Sequence, residues 1–267
     1  MPAPKKRFGQ HFLFDPRILG RIADAVEAGP TDTVLEIGPG PGGLTAALVS
    51  RVGRLVAIEK DRDLVPALRA TLPDAEIVEG DALELDWHAI AGPGAIICGN
   101  IPYNITSPLI DKALRPPRPP RIVFLVQREV ADRVAAPAGS EHYGALSVGV
   151  QAVARAERLF TVGRGAFRPP PKVESAVLRL TPLAEPLVAD SLLPAFRRLV
   201  VGLFGFRRKQ LVRGLRELTE WPAERVQRVL AALGLDPAAR PEVLTPHQFV
   251  ALTISVVDAG WPSDANL

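Results

Sequence analysis

The chain has 267 residues, 47% of them hydrophobic and 23% charged, which suits one large α/β domain with a small appendage in an ordinary soluble protein. With 32 basic against 29 acidic side chains the net charge is only +3, so a uniformly basic coat is excluded and the placement of charge matters more than its sum. A single cysteine, Cys98, excludes an internal disulfide and fits a reducing cytoplasm, where the protein is expected to reside.

The basic N-terminus "MPAPKKRFGQHF" is followed by no apolar signal-peptide core, and no run of about 18 apolar residues offers a membrane span. Asp15-Pro16 followed by Ile18, Leu19, Ile22, Ala25 and Val26 predicts a capped amphipathic helix. Short apolar runs then recur at 33–38, 54–59, 75–80, 94–99 and 121–127, separated by helix-length segments. Such runs predict a mostly parallel sheet with helices on both faces, and two further strands are expected near 155–162 and 175–180. "RPPRPPR", 115–121, reads as a stiff connection. After about residue 182 the apolar period becomes helical. The expected division is therefore a catalytic sheet domain over 1–182 and a small helical domain over 183–267. The four histidines, at 11, 88, 142 and 247, show no ligand spacing, so no metal is expected.

The first strand runs into "LEIGPGPGGLT", where Gly38, Gly40 and Gly43 satisfy G-x-G-x-x-G, and Glu59 closes the next strand. That pattern is formally a dinucleotide fingerprint, with an acid for the ribose hydroxyls. Glu36 and Asp81 favour another ligand. A carboxylate at Glu36, beside the loop, opposes a pyrophosphate but suits a sulfonium or ammonium group. Asp81, in "EGDAL", can accept from an adenine amino group. S-adenosylmethionine carries all three features. A nicotinamide oxidoreductase is the weaker alternative, because no hydride-transfer acid or base follows the loop.

The fourth apolar run empties into Asn100-Ile101-Pro102-Tyr103. An adenine N6 is a poor nucleophile, its lone pair being delocalised into the ring. The Asn100 side-chain oxygen and the Pro102 carbonyl can both accept from that amine and hold it near a methyl donor, while Tyr103 stacks on the base. Proximity and orientation would carry the chemistry. A paired base could not enter, so the target must be flipped or single-stranded. A plain turn is the bland alternative, and the upstream glycine loop counts against it.

These residues, with "KKRFGQHFL" (5–13), "VQREVADRV" (126–134), "YGALSV" (143–148), "FRPPPKVESAVLRL" (167–180) and "FRRKQL" (206–211), resemble the ribosomal RNA adenine N6-dimethyltransferases over nearly the whole chain. The resemblance implies a Rossmann-like methyltransferase sheet of seven strands, S-adenosylmethionine as methyl donor, and N6-dimethylation of two adjacent adenosines near the 3′ end of 16S rRNA. The substrate would be a pre-30S particle and the enzyme a monomer. By motif position it places His11, Leu13, Gly38, Glu59, Asp81 and Asn100 around the cofactor. It places Asn100, Pro102 and Tyr103 on the target adenine, with Phe167 stacking from the other side. Two residues depart from the family pattern: His11 stands where asparagine is usual, and Ile101 where the small-subunit enzymes usually carry leucine. The second departure keeps large-subunit 23S methyltransferases of macrolide resistance as the runner-up. An assembly factor with incidental methylation is a third reading.

Positive charge is concentrated in three segments: Lys5, Lys6 and Arg7; Arg164, Arg168 and Lys172; and Arg197, Arg198, Arg207, Arg208, Lys209, Arg213 and Arg216. RNA phosphates are the expected partner, read by shape more than by sequence. Trp87, Trp221, Trp261 and Cys98 read as packing residues.

Overall fold

The computed structural model describes Lys5 and residues 9–262. In chain order the first elements are β1 (Phe12–Leu13), α1 (Pro16–Val26), β2 (Thr33–Ile37), α2 (Gly43–Leu48), β3 (Arg54–Glu59), α3 (Val65–Thr71) and β4 (Glu76–Glu79). Then come α4 (Trp87–Ala91), β5 (Ile96–Asn100), α5 (Thr106–Ala113), β6 (Ile122–Gln127), α6 (Arg128–Ala135), α7 (Ala145–Gln151), β7 (Ala154–Val162), β8 (Phe167–Arg168) and β9 (Ser175–Pro182). The chain ends in α8 (Leu193–Gly205), α9 (Leu211–Thr219), α10 (Ala223–Ala232) and α11 (Pro246–Asp258).

Seven strands form one sheet in the order β4-β3-β2-β5-β6-β9-β7. The pairs from β4 through β6 are parallel, and β9 runs antiparallel to β6. The apolar runs become strands because both sheet faces are covered: Val34 and Leu35, Leu55 to Ile58, Ile96 to Cys98 and Ile122 to Val126 are all buried. α1 forms as its sequence predicts. The Asp15 carboxylate accepts from the Arg17 N–H at 2.9 Å and the Ile18 N–H at 3.3 Å, and Leu19, Ile22, Ala23 and Val26 turn to the core.

The strand order reverses between β2 and β5. This is the crevice where open α/β sheets bind ligands, at the carboxyl ends of the strands. The two strands approach closely there. A Cβ at Gly99 would lie 2.3 Å from the Ile37 carbonyl oxygen, so only glycine lets Asn100 reach the glycine loop.

A second, two-stranded ribbon pairs β1 with β8 in antiparallel register, Phe12 opposite Arg168 and Leu13 opposite Phe167. Nothing in the apolar periodicity announces it.

The chain divides into two compact units, and not at a single boundary after residue 182. One unit comprises the residues up to Ala131 together with Ala156–Pro182. The other comprises Asp132–Arg155 and the chain from Leu183 onward. Hydrogen bonds explain the grouping. The buried Tyr143 hydroxyl donates to the Leu244 carbonyl at 2.8 Å, and the Gly139 N–H donates to the Glu242 carbonyl at 2.8 Å. Within the same unit Gln151 Nε2 donates to the Val134 and Ala136 carbonyls at 2.9 and 2.8 Å, and the Phe204 and Phe249 rings stack 5.7 Å apart. No helix among the described residues is long and apolar enough to cross a membrane, and no group of three or more candidate metal ligands is clustered among them.

Candidate active site

A cleft opens at the switch point. Its walls include His11, Phe12, Leu13, Glu36, Gly38 and Gly40, together with Glu59, Asp81, Asn100, Pro102 and Tyr103. The carboxyl ends of β2, β3 and β5, the turn after β4 and the β1 segment thus bring together every predicted cofactor residue.

The glycine loop needs its glycines. Gly38 and Gly40 have φ of 69° and 57°, and a Cβ at Gly40 would press on the Phe12 ring at 3.1 Å. Glu59, 5% exposed, accepts from the Gly40 N–H at 3.0 Å on one oxygen and from the Asp61 N–H at 2.7 Å on the other. Each oxygen keeps a lone pair, so the carboxylate is rigid and can still accept. Burial raises its pKa, and the backbone donors of Asp61, Gly40 and Lys60 oppose that rise. Gln10 braces the arrangement by donating to Asp61 at 3.1 Å, and the Lys5 ammonium pairs with Asp61 and Asp63.

Asp81 accepts from the Leu83 N–H at 2.9 Å and pairs with Lys60. Its burial acts to raise the pKa, but the Lys60 ammonium and the Leu83 N–H outweigh it and hold the carboxyl below its usual value. Glu36 is the opposite case. It is 1% exposed, its Oε2 has no hydrogen-bond partner, and burial pushes its pKa up to about 7. The neighbouring Thr45 hydroxyl is also buried without a partner of normal geometry. A buried carboxylate oxygen lacking a donor, a braced ribose-type acid and an open glycine backbone fit a nucleoside that carries a cationic group.

Asn100 ends β5. Its amide Nδ2 donates to the His11 main-chain carbonyl at 2.8 Å. A carbonyl only accepts, so this bond decides which end of the amide is which and leaves Oδ1 as the acceptor. The Pro102 carbonyl, at the start of the short 3₁₀ turn Tyr103–Ile105, accepts from the Ile105 N–H at 3.1 Å and from the Thr106 hydroxyl at 3.2 Å. Both its lone pairs are engaged. Taking an amine hydrogen there requires the Thr106 hydroxyl to turn away, since the Ile105 N–H is held by the backbone. Tyr103 is pinned at its tip, its hydroxyl 2.7 Å from the Ser175 hydroxyl, and burial raises its pKa against that bond. One face of its ring is covered by His11, with centroids 5.7 Å apart and planes 27° apart. His11 Nδ1 lies 2.9 Å from the Pro169 carbonyl, so Nδ1 carries the hydrogen.

Phe167 is not brought to the cleft. It is 2% exposed and packs in the core with Leu19, Leu125 and Val177. Opposite Leu13, it shares that residue's side of the ribbon and belongs to the same core cluster, while Phe12 and Arg168 take the other side. Ser175, Thr106, Asp61 and the Pro169 carbonyl brace the site without having been singled out in the sequence. Ser175 and Pro169 do lie inside the "FRPPPKVESAV" run.

Of the basic segments, Lys6 and Arg7 lie outside the described residues. In the third segment Arg207 pairs with Glu242 at 2.9 Å and Lys209 with Glu217 at 2.9 Å, while Arg198 lies over the Trp261 ring at 3.8 Å. Arg208, Arg213 and Arg216 are exposed and make no ion pair among the described residues.

Comparison with known proteins agrees with this geometry. A family model described as ribosomal RNA adenine dimethylase matches residues 2–256. The chain is 41% identical over 265 residues to the ribosomal RNA small subunit methyltransferase A of Acidithiobacillus ferrooxidans, covering 97% of each protein. Among solved structures, a dimethyladenosine transferase from Plasmodium falciparum superposes with a TM-score of 0.84 at 26% identity, over 94% of this chain and 99% of that one. The 23S rRNA methyltransferase ErmE gives a TM-score of 0.72 at 30% identity, over 92% and 99%. With a Rossmann-like methyltransferase sheet, a complete cleft at its switch point and a family match across almost its full length, the chain belongs to the ribosomal RNA adenine dimethylase family.

Proposed function

We propose that the protein methylates N6 of two adjacent adenosines near the 3′ end of small-subunit (16S) rRNA, twice each, using S-adenosylmethionine. It would act as a cytoplasmic monomer on a pre-30S particle during ribosome biogenesis. The observation that carries this reading is the Asn100 amide in the cleft wall, whose Nδ2 is taken by the His11 carbonyl so that Oδ1 is left as the acceptor. Relatives named for the small subunit support the choice of target, being nearer in sequence than ErmE.

When bound, S-adenosylmethionine supplies an electrophilic methyl on a sulfonium centre. Glu59 would accept from the ribose hydroxyls, Asp81 from the adenine amino group, and the Glu36 oxygen without a donor would meet the cationic end. His11, Leu13 and Gly38 would complete the wall. Asn100 Oδ1 accepts one N6 hydrogen of the target base, and the Pro102 carbonyl accepts the other once Thr106 releases it. Two acceptors on one amine fix its approach and favour a pyramidal nitrogen, so orientation supplies most of the rate. Tyr103 offers the base its free face. No strong base is needed, because the nitrogen becomes acidic on accepting the methyl.

The test is methyl transfer from labelled donor to purified small subunits and, in parallel, to naked large-subunit RNA. Transfer to the first substrate is expected, and transfer to the second alone would redirect the assignment. Asn100→Ala should lower kcat/KM by about a hundredfold or more with the fold intact. Full activity in that variant would refute the role of the amide. Normal dimethyladenosine in a strain lacking the protein, alongside an assembly defect, would favour an assembly factor.

A further inference from the structure

On the ribbon that walls the cleft, Arg168 lies on the same side as the cleft residue Phe12. Phe14 follows the cleft residues Phe12 and Leu13, and its N–H donates to the Ala166 carbonyl at 3.1 Å, extending the ribbon by one bond. Its ring is 43% exposed, and the Arg168 guanidinium lies 4.4 Å from its centroid. Arg164 and Lys172 are exposed on the same loop, and Arg164 Nη1 reaches the Lys172 carbonyl at 3.4 Å. None of these three cations makes an ion pair among the described residues. The neighbouring acids are engaged elsewhere: Asp15 caps α1, and Glu174 pairs with Arg128 at 2.6 Å. Val173, 46% exposed, adds apolar surface to the loop.

A lone exposed phenylalanine on a protein surface calls for no explanation. This one combines an open aromatic face, a planar cation that stacks, and unneutralised positive charge, all beside a cleft for a base out of its helix. Those are the components of a single-strand platform: bases stack on aromatic rings and guanidinium planes, and basic side chains follow the phosphates.

We propose that Phe14 and Arg168 form a stacking platform for the unpaired nucleobase next to the target adenine, with Arg164 and Lys172 on the adjoining phosphates. The proposal rests on the reading of the cleft as an RNA adenine site. The platform holds the neighbouring nucleotide while the target occupies the cleft, which gives a reason for acting on adjacent residues without releasing the strand.

The probe is a single-stranded RNA with two adjacent adenosines in which the neighbour of the target is replaced by 2-aminopurine. Stacking quenches its fluorescence, and the signal is read without methyl donor. The wild-type protein should quench it, Phe14→Ala should lose most of the quench, and Phe14→Trp should keep it. On unmodified RNA, Phe14→Ala should lower kcat/KM about tenfold, with recovery in Phe14→Trp. An abasic neighbour should cost the wild type a similar factor and cost Phe14→Ala less than about twofold more. Unchanged quenching in Phe14→Ala, or losses that multiply, would overturn the platform. Absence of methyl transfer by the wild type would count against the proposed activity, and the quench would still decide the platform.

Discussion

Glu36 keeps a carboxylate in the core with one oxygen that no donor satisfies. Burial favours its neutral form, so its pKa of about 7 stands above the ordinary 4.5. The sign of the linkage follows. Between these values the unfolded chain has lost the proton that the folded protein keeps, so the stability Glu36 confers is full below about 4.5 and declines as pH rises through about 7. A bound cation reverses the preference, because pairing requires the ionised form. Cofactor affinity should therefore rise with pH and level off above about 7. Glu36→Gln should bind more weakly at pH 8 and show a flat profile. Calorimetric titrations from pH 6 to 8 check both, and parallel profiles in the two proteins would count against the pairing. The neighbouring acids behave differently for reasons the sequence does not display. Glu59 has backbone donors and Asp81 has Lys60. The acids were legible as a set because they close successive apolar runs, but their ionisation is decided by partners that come from elsewhere in the fold.

Among the elements, the parallel strands were the most legible, since burial on both faces leaves a plain apolar run in the sequence. The approach of β5 to β2 is equally physical but shows only as one glycine. Gly99→Ala would put a methyl 2.3 Å from the Ile37 carbonyl, with backbone on one side and the Ile101 side chain at 3.2 Å on the other. The strands must separate, at a cost of about 2–3 kcal/mol. Urea denaturation should show the loss, and cofactor binding should fall with it because Asn100 and the glycine loop move apart. Unchanged stability would mean that the sheet yields more easily than its packing suggests. The β1–β8 ribbon was not legible. Two residues pairing with two others some hundred and fifty positions away leave no period to detect. That omission explains the misplacement of Phe167: an aromatic next to a proline run reads as a surface stacker until the register with Leu13 turns it inward.

At the scale of the molecule, a net charge of +3 gives little general attraction to RNA, so affinity must come from particular cations. The run from 197 to 216 reads as seven equivalent charges, but Arg207 and Lys209 are held by acids and Arg198 by an indole face. Arg197 is also engaged, and Arg208, Arg213 and Arg216 are left to meet phosphates. Replacing all three with glutamine should flatten the plot of log affinity against log salt by about 2 for single-stranded RNA, with little change in melting temperature. Filter binding over a potassium chloride series measures it, and an unchanged slope would move the contact elsewhere. The division into units was half legible: the helical period after 182 was visible, while the attachment of 132–155 depends on bonds such as Tyr143 to Leu244. That interleaving bears on how such a protein can change over time. The chain leaves the first unit at Ala131, returns at Ala156 and leaves again after Pro182. A second unit built from two separate stretches of chain cannot be gained, lost or exchanged as a cassette at one joint. A truncation at 182 would strand the buried Tyr143 hydroxyl without its Leu244 acceptor. The helical part and the sheet must therefore be inherited together, and any drift in what the helices recognise has to occur by substitution on a fixed frame.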